Sequence, residues 1–109
     1  MAEWYPYDDG KTIGQKGSEE GIILRDEEHP QEARITLERE GRIAPFAITC
    51  GIYGWMVHTR FFSIEEEGQA EYGEMKAALS ALLATEHDGG PETWNSFIDG
   101  ITTFVETYP

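Results

Sequence analysis

Cys50 and His58 are the first pair whose types and spacing suit chemistry. Each lies four residues from Gly54, so a hairpin turning there sets a thiol against an imidazole, as a thiol nucleophile requires. Cys50, however, alternates in phase with Ile48 and Ile52 and reads as a small buried hydrophobe, so no catalytic residue is assigned. His29, His58 and His87 are 29 residues apart in each direction, with no two at the i, i+3 or i+4 spacing of a compact metal motif. Adjacent acids such as Asp8-Asp9, Glu19-Glu20 and Glu27-Glu28 serve acid–base work only if one is buried, and nothing in the sequence marks one as buried. The run Gly14 to Gly21 contains Lys16 but ends in Gly-Ser and two acids ahead of a strand, not in the Gly-Lys-Ser/Thr and helix of a phosphate cradle. No cofactor and no metal are expected, and the reading leans away from an enzyme.

The aromatic residues are more informative. Trp4, Tyr5, Tyr7, Tyr53, Trp55, Phe61 and Phe62 exceed what one face of a small sheet buries. Either the N-terminal segment folds over the open face and covers them, or some are exposed at an interface or a ligand pocket. Tyr53, Trp55, His58 and Arg60 form the candidate binding set, lining a pocket between sheet and helices. Arg60 is one of only two basic residues after position 45, so facing inward it needs an anion or an acidic partner.

These residues must be positioned by a sheet followed by helices. Period-two alternation predicts strands over 21–26, with Ile22 and Leu24 on one face and Ile23 and Arg25 on the other, and over 33–39, 46–52 and 56–63. Residues 27–31 read as a connection because of Pro30, and Glu40-Gly41-Arg42 as a turn. In the 46–52 strand the outward set Ala47, Thr49 and Gly51 is small or uncharged, which marks a central strand; in the next strand His58 and Arg60 share a face opposite Val57, Thr59 and Phe61.

At Ser63 the period changes to 3.6, with Ser63 and Glu66 spaced as a capping box and Tyr72, Met75, Leu79, Leu82 and Leu83 as the buried stripe. Residues 87–90 stop this helix. Pro91 opens a second, whose apolar residues Trp94, Phe97, Ile98, Ile101, Phe104, Val105 and Tyr108 give the clearest periodicity in the chain. The expected fold is α+β: one domain over 1–109, an antiparallel four- to five-stranded meander followed by two C-terminal helices packed on one face, with 1–20 a loop or an extra edge strand.

The chain has 109 residues and a formal net charge of −13, with 39% hydrophobic and 12% aromatic residues, so a single aromatic-rich core is expected. That charge repels phosphate, which excludes conventional nucleic-acid and anionic-membrane binding, and it favours basic partners. One cysteine excludes an intramolecular disulfide, and a reducing, cytoplasmic setting fits; no apolar run approaches a membrane span or a signal peptide. The leading expectation is a small, bacterial-type, non-catalytic module that binds a basic protein or a second copy of itself as a homodimer; a toxin-neutralising immunity protein is one form by analogy. The other is a small-molecule-binding domain or small enzyme using the Tyr53 to Arg60 pocket.

Overall fold

A computed structural model describes residues 4–84 and 91–109, with the backbone alone described for residues 91–94. Five antiparallel strands, β1 (Tyr5–Pro6), β2 (Ile22–His29), β3 (Ala33–Arg39), β4 (Phe46–Ile52) and β5 (Met56–Phe62), pair in sequence order as a meander. Two helices follow, α1 (Glu65–Leu83) and α2 (Pro91–Thr107), packed on one face of the sheet. This is the α+β architecture expected from the sequence, with the fifth strand contributed by the N-terminal segment.

The alternation of β3 and β4 explains which face is covered. Ala33, Ile35 and Leu37 of β3 and Ile48, Cys50 and Ile52 of β4 point to the helices and are buried. Against them lie Tyr72, Met75, Leu79, Leu82 and Leu83 of α1, with Phe97 and Phe104 of α2. Each buried Ile, Leu, Met or Phe among them contributes on the order of 1.5–3 kcal/mol through burial, and this zipped layer is the core. Its centre is mainly aliphatic. Trp4, Trp55, Phe62 and Tyr108 pack around it half-buried, so the aromatics flank the core more than they form it. These side chains occupy the middle of the layer between sheet and helices, and a recess of about 400 Å³ remains at its edge among Arg60, Phe62, Glu67, Ala70 and Glu71.

Three local expectations are corrected. In β2, Ile23 pairs with Glu38 but Arg25 with Leu37, so Leu24 is an extra, bulged residue that reverses the facing of the strand. Ile23 therefore faces away from the helices, whereas Arg25 lies over the Tyr72 ring of α1, 4.1 Å from its centre. Second, β2 continues through Glu27 and Glu28 to His29, because these polar residues find partners. Glu27 accepts hydrogen bonds from the Tyr72 hydroxyl (2.9 Å) and Lys76 (3.1 Å), and His29 meets the edge of the Trp4 ring. Third, α1 is capped at Ile64 with no side-chain cap, so Ser63 forms no capping box; Glu65, Glu66 and Glu67 answer the helix dipole instead. Trp94 and His87, both singled out in the sequence, lie outside the residues whose side chains are described. No helix among the described residues is long and apolar enough to cross a membrane.

Candidate functional site

Cys50 and His58 are direct cross-strand partners in the β4–β5 ladder, as the spacing about Gly54 implied. Both face the helices. Burial pushes the Cys50 thiol up to about 12, and the His58 ring is hydrogen-bonded through Nε2 to the Tyr108 carbonyl oxygen. A thiol held neutral beside an engaged imidazole is not an activated nucleophile.

The other candidate residues are divided between two sides. Tyr53 and Gly54 occupy the centre of a turn closed by the Trp55 amide donating to the Ile52 carbonyl, and Gly54 takes φ +83°, which glycine adopts without strain. Trp55 turns toward the helices and meets Phe97 edge-on, with ring centres 4.8 Å apart. Arg60, on the helix side of β5, donates to Glu71 and to the Pro109 carbonyl, so its inward-facing charge has its acidic partner. That guanidinium holds the Glu71 carboxyl below its ordinary range, while the Glu71 hydrogen bond raises that of Glu74. Tyr53 alone turns to the other side, its hydroxyl donating to Glu28 at 2.9 Å. Tyr5 donates to the second Glu28 oxygen at 3.1 Å, so one carboxylate gathers two phenols, and both are pushed up, Tyr53 by burial first and then by Glu28, Tyr5 by Glu28 first.

A concavity lies on the sheet face away from the helices: a groove of about 850 Å³ bounded by the 12–18 loop and the β4–β5 turn. Its floor is the outward set of β3 and β4, including Thr36, Thr49 and Gly51, with Ile23 and Val57 at the sides. The loop is held along the outer edge of β2 by hydrogen bonds from Gly14 N to Ile23 O (2.8 Å) and Ile23 N to Gln15 O (2.9 Å). It then folds over Glu38. This buried carboxylate accepts from the Gly21 amide (3.0 Å), the Glu19 amide (3.2 Å) and the Ser18 hydroxyl (3.5 Å), which offsets the cost of burying its charge.

At the opposite end Arg34 is held rigidly. Its Nε and Nη2 donate to the two oxygens of buried Asp26 at 2.9 and 2.6 Å, and the Tyr7 ring lies 3.6 Å from the guanidinium carbon. Asp26 also accepts from Thr12 at 2.8 Å and raises the affinity of Arg34 for its proton. Tyr7 reaches this place through a turn in which Asp8 and Asp9 are left-handed, at φ 50° and 55°. Thus the N-terminal segment does cover part of the sheet, with Tyr7 on this face and Trp4 on the other, where its indole donates to Ser80 at 2.7 Å.

Sequence reasoning did not single out Asp26, Arg34 or Glu38 as candidate residues. A signal that could have pointed here is the small, uncharged Thr49 and Gly51 of the outward set, which leave room above the floor, whereas Ala47 is buried. Among the described residues no group of three or more His, Cys, Asp or Glu side chains is placed to hold a metal ion. Comparison with protein-family models, curated proteins and solved structures returns no match.

Proposed function

We propose that this chain is a non-catalytic protein-binding module that docks a basic partner through the outer surface of its helical layer, in a reducing, cytoplasmic setting. One observation carries the reading. Both bases of the second half of the chain are committed inside the fold, Arg60 to Glu71 and Lys76 to Glu27. Glu65, Glu66, Glu67, Glu74, Asp99 and Glu106 are consequently exposed on α1 and α2, with no basic side chain paired to them among the described residues. Ala70 and Gly73 lie exposed among the acids of α1, and Ala77 and Ala81 beyond them toward its C-terminus, so a partner can approach the helix closely. Such a one-signed field steers a basic protein toward the surface and repels a second copy approaching by the same face.

The test is affinity isolation from native lysate, comparing wild type with the double variant Glu66→Lys, Glu74→Lys, whose circular dichroism should be unchanged. The expected result is a stoichiometric basic protein, retained at low salt, released at high salt and lost with the variant. A partner held equally by the variant, or no partner at either salt concentration, overturns the reading.

A further inference from the structure

We infer that the groove on the helix-free face of the sheet is a binding site for a neutral small molecule that combines a hydrogen-bond acceptor with an apolar body. The inference is independent of the helical docking surface, which lies on the other side of the molecule.

The polar end is set by Arg34. Asp26 uses Nε and one Nη2 hydrogen, and Tyr7 covers one face of the guanidinium, while Nη1 has no partner among the described residues. Among the described residues no buried side-chain polar atom is left unsatisfied, so this unpaired Nη1 is exposed to solvent, on a residue that lines the groove. It is a donor fixed before any ligand arrives, which lowers the ordering cost of binding. The apolar end is set by Ile23 and by Val57, which is 81% exposed on an edge strand. Between them Gly51 presents backbone with no side chain above it. The groove's volume lies within the range of small-molecule pockets.

Charge balance selects a neutral ligand. Arg34 is compensated by Asp26, Lys16 at the rim stands against Glu20, which Arg42 also engages, and the buried Glu38 carboxylate adds a negative charge held by backbone amides. With Asp26 and Glu38 set against Arg34 and Lys16, the groove has no net positive charge to attract an anion into a chain of net charge −13. Nor does Glu38 have room for a cation, since the loop over it is so close that a Cβ on Gly17 would fall 2.5 Å from its Oε2.

The test uses Nile red, a neutral dye with one ring carbonyl and an apolar ring system, against its anionic counterpart anilinonaphthalene sulfonate. Titration into the full chain is followed by emission and by amide chemical shifts. The expected result is saturable Nile red binding at one site, shift changes centred on Ile23, Thr49, Gly51 and Val57, and little response to the anion. Arg34→Lys, which keeps a charge against Asp26 but loses the forked donor, should weaken binding about tenfold. Val57→Lys, at a position too exposed to threaten the fold, should weaken it at least as much. Failure of wild type to bind, equal binding by Val57→Lys, or comparable uptake of the anionic dye overturns the inference. So do concentration-dependent shifts at Val57 and Phe61 without dye, which would mean that a second copy of the chain covers this face.

Discussion

Cys50 sits directly across the β4–β5 ladder from His58, and the two do not form a reactive pair: the thiol is buried among Ile48, Ile52 and the helices, and the imidazole is bound to the Tyr108 carbonyl. Burial decides the chemistry here. A thiolate requires desolvation to be repaid by a nearby positive charge, and burial has moved the thiol in the opposite direction.

Cys50 should accordingly resist iodoacetamide at neutral pH in the folded chain and react promptly in denaturant, with no acceleration lost in His58→Ala. Its raised folded-state value also fixes a sign. The folded chain holds the thiol proton more tightly than the unfolded one, so this stabilisation is complete below the ordinary value of 9.0 and fades as pH rises toward about 12. Urea melts across that window should show the stability gap between wild type and Cys50→Ala narrowing as pH rises. A constant gap would mean that the thiol is not desolvated.

The loop over Glu38 should be sensitive to single atoms. A Cβ at Gly17 would fall 2.4 Å from the Glu38 carboxyl carbon, closer than real contacts permit, so Gly17→Ala must push the loop off the carboxylate. The expected loss is about 1–3 kcal/mol in urea melts. Glu38→Gln preserves the shape but weakens the charge-assisted bonds, with a loss of about 1 kcal/mol. Hydrogen exchange separates local from global effects: the Glu19 and Gly21 amides should lose protection in both variants, and the β4 amides should not.

The reasons that some features were legible in the sequence and others were not are physical. The β3 and β4 faces and the Tyr72 to Leu83 stripe follow local periodicity, because their burial is set by one repeating geometry. The Leu24 bulge is invisible to a period count, since one extra residue shifts the phase without changing composition. Ser63 has the capping spacing, but the chain enters α1 with extended Ile64 at the cap, so the serine stands one residue too early to close it. The groove depends on Tyr7 reaching Arg34 and on the 17–21 loop reaching Glu38, both contacts across distant sequence. Buried charges such as Asp26 and Glu38 look solvated in a sequence because their partners are backbone amides or residues far along the chain.

Asp26 and Arg34 should be strongly coupled. The Asp26 side chain is fully buried, and removing Arg34 leaves it only the Thr12 hydroxyl among its side-chain partners. Arg34→Ala should therefore cost about 3 kcal/mol, the low end for breaking a buried pair because the arginine is itself part-exposed. Asp26→Asn in that background should recover much of the loss, since it removes the stranded charge. Thermal melts of the two singles and the double measure the coupling directly, and additive losses would show that the pair contributes nothing beyond its separate members.

Two helical glycines with different surroundings separate backbone propensity from packing. At Gly73, exposed in the middle of α1, an added Cβ meets nothing within 4 Å. Gly73→Ala should stabilise by about 0.5–1 kcal/mol, because alanine loses less backbone entropy in forming the helix. At Gly100 in α2 the same Cβ would come within 2.6 Å of the Leu82 Cδ1. That atom ends a flexible side chain, so the strain is relieved by a rotamer shift costing about 0.5–1.5 kcal/mol, which offsets the propensity gain. Gly100→Ala should thus leave the melting temperature nearly unchanged. Equal stabilisation at both positions would show that α2 stands further from α1 than the Leu82 contact implies.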